Sequence, residues 1–125
     1  MISIRGAITT NNCEFDIIND TQTMLKEVLL QNEITIKDIV SIIFTATKDL
    51  DAAYPARAAR ALGITEASLL CMQEMHVADA LPFCIRLLVH CNSALLQNQV
   101  KHVYLKDAVS LRLDIRSKNE DQHRN

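Results

Sequence analysis

The chain has 125 residues, which fits one domain of ordinary size and leaves too little sequence for a second hydrophobic core. Hydrophobic residues make up 49% and charged residues 22%, a balance typical of globular proteins that excludes a chain disordered throughout. The formal charge of -2 argues against a nucleic-acid partner, because surfaces that bind nucleic acids are strongly basic. The longest apolar runs, at 39–44 and 85–89, are far shorter than the roughly 18 residues that span a membrane. The first six residues carry no secretory signal, so we expect a cytoplasmic protein with no membrane partner.

Cysteine, histidine and glycine usage excludes several kinds of cofactor chemistry. The chain contains four cysteines: Cys13, Cys71, Cys84 and Cys91. They form no CxxC pair, so we expect reduced, buried thiols rather than disulfides. Its four histidines are His76, His90, His102 and His123. These are not spaced as metal ligands, and two glycines, Gly6 and Gly63, are too few for a P-loop or a GxGxxG cradle, so we predict neither a metal nor a nucleotide cofactor of those types.

The first third of the chain predicts a strand followed by a helix. Residues 2–8 are apolar enough for a short strand. Asn12 is a residue type that caps helices, and the apolar residues after it recur at helical spacing, so we predict a helix from there to about Asn32. Thr35, with Asp38 three residues on, predicts a capped single turn.

The middle of the chain predicts a second strand and a short helix. Residues 40–45 are β-branched and apolar, as strands are. Pro55 suits the first turn of a helix and Gly63 suits its end, while the alanines between them allow close packing. Arg57 and Arg60, three residues apart, then share one face of this helix.

Three later strands, predicted at 69–72, 84–91 and 102–112, show which sheet face carries charge. Side chains alternate between the two faces of a strand, so Arg86 lies opposite the apolar row that its odd-numbered neighbours form. The same alternation puts Tyr104 on the polar face of the last strand. These patterns predict an α/β fold in which helices cover one face of a sheet.

The second sheet face is semi-polar and would be uncovered in a lone domain, so we predict that the chain self-associates. Arg5, Arg86 and Arg112 on that face would repel one another near a subunit contact. An anionic ligand between subunits relieves this repulsion, because guanidinium groups bind planar anions in a bidentate way.

Five segments also occur in an informative order: Arg5-Gly6-Ala7, YPARAAR at 54–60, CMQEM at 71–75, CIR at 84–86 and HVYL at 102–105. Over nearly all of residues 1–115 the chain resembles the AroH-class chorismate mutases. The resemblance implies an α/β (α+β) domain with a mixed sheet and helices on one face, which assembles into a homotrimeric pseudo-α/β barrel with sites between neighbouring subunits. Residues 116–125, nearly all polar, are expected to form a mobile tail.

The same resemblance implies an isomerase that rearranges chorismate to prephenate on the route to phenylalanine and tyrosine. The reaction is intramolecular, so it needs no cofactor, no metal and no covalent intermediate. The implied partners are chorismate, which is a small dianion, and two further copies of the chain.

The resemblance also implies roles for particular residues. Arg5 matches an arginine that binds a substrate carboxylate, and Arg86 matches the cation beside the breaking ether bond. Glu74 and Cys71 match the pair that holds the ring hydroxyl. Tyr104 matches the residue near the enolpyruvyl carboxylate.

Four further residues are implied at the edge of the site. Arg57 and Arg60 lie on the segment that the adjacent subunit contributes, with Tyr54 on its apolar rim, and Arg112 belongs to a tail that closes over the site. Tyr54 stands where the family usually has Phe, and Arg57 where it usually has Lys, so shape and charge are kept.

Two other functions stay open at this point. A trimeric imine deaminase of the RidA kind has a similar architecture and also binds carboxylates with an arginine, although the CMQEM segment argues against it. A non-catalytic trimeric binding module would need Arg5 for ligand capture, but it would tolerate the loss of Arg86 or Glu74.

Overall fold

The computed structural model describes residues 1–111, which form a five-stranded sheet with two α-helices. The strands are β1 Ile2–Thr9, β2 Ile39–Ala46, β3 Ser68–Gln73, β4 Cys84–Cys91 and β5 Val103–Leu105, and the helices are α1 Glu14–Gln31 and α2 Ala56–Ala61. Arg112 and the predicted tail at 116–125 lie outside the described residues. Within residues 1–111, no helix is long and apolar enough to cross a membrane.

The sheet is mixed, with the strand order β3-β2-β4-β1-β5. The central strand β4 runs antiparallel to both β1 and β2, whereas the outer pairs β1–β5 and β2–β3 are parallel. Parallel neighbours need a crossover connection, and α2 lies in the one between β2 and β3. Helix α1 connects β1 to β2, which lie on either side of β4. The predicted α/β fold with a mixed sheet is confirmed.

One face of the sheet carries the core. Ile4, Ile8 and Phe44 on this face pack with Met24 and the other apolar residues of α1. Each large side chain that becomes buried contributes about 1.5–3 kcal/mol to the free energy of unfolding. The prediction that both helices cover the same face is confirmed.

Gly6 allows α1 to approach the sheet closely. A Cβ atom at this position would lie 3.1 Å from Cδ1 of Leu87 and 3.2 Å from Sδ of Met24, which is tighter than ordinary contact. Contact at this distance forces neighbouring groups to move, so a larger residue here would separate α1 from β1.

The start of α1 differs from the prediction. The N-cap residue is Cys13 rather than Asn12, and Cys13 is exposed rather than buried. Asn12 is used elsewhere, because its Oδ1 accepts hydrogen bonds from the backbone N–H groups of Asp51 and Ala52. Its Nδ2 also donates to Asp51 Oδ1 at 2.9 Å, so Asn12 ties the start of α1 to the loop before α2.

The predicted end of α1 and the turn that follows are confirmed. Asn32 is the C-cap of α1, and its Nδ2 donates to the carbonyl of Val28 at 3.0 Å. The backbone N–H of Thr35 donates to the Asp38 carboxylate at 3.0 Å, as a capping box requires. Gly63 has φ of +94°, the left-handed conformation that lets the chain leave α2.

Of the strand predicted at 102–112, only Val103–Leu105 is observed, and the prediction is wrong for the described residues 106–111. Strand β5 ends at Leu105 because Lys106 adopts a φ of +53°, which turns the chain out of the extended conformation. Lys106 Nζ then donates to Oδ1 of the buried Asp20 at 2.8 Å. Lys106–Ala108 form a single 3-10 turn, and Ala108 packs over Ala7 at one end of the sheet.

Candidate active site

The sheet face opposite the two helices is called the open face below. Strand register assigns the following residues to it: Ser3, Arg5, Ala7, Ile43, Leu70, Met72, Arg86, Leu88, His90 and Tyr104. The predicted alternation of β4 is confirmed, since Ile85, Leu87 and Val89 are buried and Arg86 is exposed.

Four of the predicted site residues converge on the open face. Arg86 and Tyr104 both pair with Ala7, one from each side of β1, so the two side chains lie on the same sheet face two strands apart. Together with Arg5 and Glu74 they line one cavity of about 240 Å³. These residues are far apart in the sequence, and the sheet order brings them together.

The tightest polar contact in this cavity joins Arg86 and Glu74. Arg86 Nη1 lies 2.6 Å from Glu74 Oε1, and the side chains are 45% and 23% exposed. The backbone N–H of Glu74 donates to the carbonyl of Ala46 at 2.9 Å, which continues the β2–β3 pairing one residue beyond β3. Glu74 is therefore held by the backbone and orients the Arg86 guanidinium, which keeps further N–H groups for a ligand.

The remaining walls of the cavity are mostly apolar. Ile43, Leu88 and the backbone of Gly6 line it together with Thr45. Charges beside such walls interact more strongly than charges in water. Among the described lining residues there is no Cys, Ser or His, so the cavity is better suited to holding an anion than to covalent attack.

Cys84 lies two residues before Arg86 in β4 but belongs to the packing, as predicted. It is buried, and burial raises the pKa of its thiol to about 11, an effect that the nearby Arg86 charge only partly offsets. Cys91 is buried as well, and burial also raises its thiol pKa. Both thiols are thus held in the unreactive protonated form at neutral pH.

A second group of predicted residues lines a different cavity. Tyr54, Arg57 and Cys71 border a space of about 530 Å³ beside β3. Cys71 pairs with Phe44 and packs against the core, so its side chain lies on the opposite sheet face from Arg86. Within one chain, the structure does not bring Cys71 and Glu74 into the same cavity.

The arginines of α2 are at the protein surface. Arg57 Nη1 lies 2.9 Å from Glu14 Oε1, and both side chains are about half exposed. An exposed ion pair of this kind contributes little to stability, so Arg57 stays available for another anion. Arg60 is exposed in the last turn of α2, away from the cavity that Arg86 lines.

His102 was not among the predicted site residues, although it opens the HVYL segment. Its Nδ1 accepts a hydrogen bond from the backbone N–H of Arg5 at 2.9 Å. Burial lowers the pKa of this imidazole, and the Arg5 charge lowers it further. Sequence periodicity did not reveal this contact, because it joins residues almost a hundred positions apart.

Comparison with known proteins agrees with this geometry. The sequence profile of the family Chorismate mutase type I matches residues 1–115. The protein called Chorismate mutase AroH from Bacillus subtilis (strain 168) is 38% identical over 114 residues, covering 90% of each chain. The protein of the same name from Thermus thermophilus is 40% identical over 116 residues, covering 91% of this chain and 95% of its own.

A solved structure gives the same answer. The chorismate mutase from Clostridium thermocellum Cth-682 superposes with a TM-score of 0.85 at 47% identity, covering 86% of this chain and 97% of that one. The chain belongs to the chorismate mutase type I family. This membership decides against the imine-deaminase alternative.

Proposed function

We propose that this chain catalyses the rearrangement of chorismate to prephenate in the open-face cavity. The observation that carries the proposal is the Arg86–Glu74 pair, which shares one cavity with Arg5 and Tyr104. Two cations, one carboxylate and one phenol match a small dianion that also carries a hydroxyl group. Family membership supports the same reaction.

Arg86 acts on the reacting atoms. In this rearrangement the C–O bond breaks ahead of C–C bond formation, so negative charge gathers on the ether oxygen. A guanidinium that is already oriented by Glu74 stabilises this charge more in the transition state than in the substrate. The rearrangement is intramolecular and no proton moves, so the reaction needs neither a nucleophile nor a general base.

The other residues hold the substrate. Arg5 and Tyr104 bind its carboxylates, and Glu74 accepts the hydrogen bond of the ring hydroxyl. Holding the compact reactive conformer converts binding energy into rate, because the reacting carbons are kept close together. Cys71 lines the cavity of Tyr54 and Arg57, so it is proposed to assist at the hydroxyl from the neighbouring subunit.

The active assembly is proposed to be a homotrimer with sites between subunits. On the open face, Leu70 is 56% exposed and Met72 is 50% exposed, which is unfavourable unless another copy covers them. The neighbouring subunit then supplies Tyr54, Arg57 and Arg60, and Arg112 closes the site.

A cytoplasmic location and a catalytic domain spanning residues 1–115 belong to the same proposal. Cell fractionation tests the location. Truncation after residue 115 tests the domain, because a variant without the polar tail is expected to fold and to assemble.

The activity is tested directly with purified protein. Chorismate absorbance is expected to fall after the protein is added, with prephenate identified as the product by mass spectrometry. A folded protein that binds chorismate without converting it would support the non-catalytic binding module instead.

Shared sites are tested by mixing inactive variants. Subunits carrying Arg86→Gln and subunits carrying Arg60→Ala are expected to regain activity when refolded together, because some sites receive both native arginines. The control mixes Arg86→Gln with Glu74→Ala, which lie in the same cavity of one chain, and no activity should return. Recovery in the control, or its failure in the first mixture, would contradict sites built between subunits.

A further inference from the structure

We propose that His102 is a positioning residue for Arg5, because its imidazole holds the main chain from which the Arg5 side chain enters the cavity. The inference deepens the proposed function and rests on it, since Arg5 is assigned there to a substrate carboxylate. Among the described residues that line the cavity, His102 does not appear, so it acts on Arg5 and not on the substrate.

Arg5 lies just outside the backbone pairing between β1 and β5. That ladder joins Gly6–Ile8 with Val103–Leu105 and contains only three pairs. The backbone N–H of Arg5 has His102 Nδ1 as its acceptor, at 2.9 Å. The imidazole therefore extends the pairing by one residue and satisfies an N–H that the short strand β5 does not reach.

The position of His102 is itself fixed by its neighbour Lys101. The buried Asn32 at the end of α1 holds both backbone groups of Lys101: Oδ1 accepts its N–H at 2.8 Å, and Nδ2 donates to its carbonyl at 2.9 Å. Hydrogen bonds thus connect the end of α1 to Lys101 and the next residue, His102, to the backbone of Arg5. Tyr104 follows two residues later in β5, so one segment places both carboxylate-binding groups.

The contact requires a neutral imidazole with its hydrogen on Nε2, because Nδ1 accepts. Burial favours the neutral imidazole. The positive charge of Arg5, on the neighbouring strand β1, also favours the neutral imidazole. The hydrogen bond therefore selects the tautomer, while burial and charge favour the neutral form.

A similar contact nearby provides a matched control. Gln97 accepts the backbone N–H of Ser3 and donates to the Ser3 carbonyl, both at 2.8 Å. This side chain also supports the edge of β1, but Ser3 is not among the lining residues of the cavity. Substitution of Gln97 therefore tests the effect of losing a hydrogen bond to the edge of β1, and substitution of His102 tests the effect of losing the hydrogen bond to Arg5.

The experiment compares His102→Phe, His102→Asn and Gln97→Leu in the full chain. His102→Phe keeps a ring but has no acceptor, and its KM for chorismate is expected to rise about tenfold with a smaller change in kcat, as loss of one hydrogen bond to a binding group predicts. His102→Asn has Oδ1 where the histidine has Nδ1, and it should restore the native KM. Gln97→Leu should lower the unfolding midpoint while leaving KM unchanged.

A second readout does not depend on activity. Long-range ¹H–¹⁵N spectra of the imidazole should show an unprotonated Nδ1, and exchange of the Arg5 amide proton should be faster in His102→Phe than in native protein or in His102→Asn. If the native protein has no mutase activity but the spectra show an unprotonated Nδ1, the proposed function is wrong while the hydrogen bond between His102 and the Arg5 backbone is confirmed.

The positioning role is overturned by any of three results. These are a hydrogen on Nδ1 of the native protein, a native KM in folded His102→Phe, or an equal KM defect in His102→Asn and His102→Phe. If His102→Phe does not fold, the tautomer of His102 in the native protein and the KM of His102→Asn still test the positioning role.

Discussion

Arg86 Nη1 and Glu74 Oε1 lie 2.6 Å apart, although they come from β4 and from the end of β3, with β2 between these strands. The pair gives the guanidinium a fixed direction before any substrate arrives. Preorganisation of this kind costs no reorganisation at the moment of reaction, which is why charged groups in enzyme sites act more strongly than the same groups in water.

Arg86→Gln is expected to lower kcat by roughly 10² to 10³, because losing one preorganised transition-state donor typically costs about 2.7–4 kcal/mol. Arg86→Lys keeps the charge but loses the planar guanidinium, so its kcat should fall between that of the native protein and that of Arg86→Gln. The control is Lys26→Gln, which removes an exposed cation from α1. Steady-state kinetics on assembled protein check the prediction, and a kcat within about threefold of native for Arg86→Gln would contradict it.

Cys71→Ser is expected to stay active, because the rearrangement needs no covalent intermediate and serine keeps a hydrogen-bonding group. The structure supports this expectation, since Cys71 packs against the core rather than facing Arg86. Intact-mass spectrometry after incubation with chorismate checks it. A substrate adduct on Cys71 would overturn the mechanism.

Lys106→Met is expected to lower the free energy of unfolding by about 1 kcal/mol. Lys106 is 54% exposed, so the ion pair is screened, but Asp20 is 8% exposed and is left with Thr10 as its remaining side-chain donor. Urea unfolding monitored by circular dichroism measures the difference. Lys37→Met, at an exposed lysine without an ion pair among the described residues, should change stability less; equal losses would argue against the Asp20 contact.

Cys84 is expected to resist alkylation by iodoacetamide at pH 8, whereas Cys13 reacts. Its pKa is raised to about 11, so only about one thiol in a thousand is ionised at pH 8, and burial also blocks the reagent. Because the folded-state pKa is raised, the unfolded thiol ionises first, so the free energy of unfolding falls as pH rises from 9 through 11. Peptide mapping gives the labelling at each cysteine, with guanidinium-unfolded protein as the control. Equal labelling of Cys84 and Cys13 in folded protein would disprove the burial of Cys84.

Local features of the sequence determined most of the secondary structure. The alternation around Arg86 predicted which side of β4 faces the core, because strand side chains have a period of two regardless of their partners. The capping pair Thr35 and Asp38 and the glycine at 63 predicted their turns, since these depend on hydrogen bonds and φ values within a few residues.

The errors occurred where a distant partner decides the conformation. Asn12 has the chemistry of a helix cap, but the loop at Asp51 and Ala52 occupies its side chain. The apolar alternation after His102 suggested a long strand, but the contact of Lys106 with the buried Asp20 accompanies a left-handed turn. The spacing of residues in the sequence does not indicate either of these distant partners.

The sequence by itself determined the family, the sheet with helices on one face, and the residue types that would hold a dianion. Only the tertiary structure decided that Arg5, Glu74, Arg86 and Tyr104 share a cavity while Cys71 faces the core, and that His102 holds Arg5. The physical reason is that periodicity records which side of its own element a residue faces. Contacts between elements depend on strand order and register, which form only when the whole sheet closes on its core.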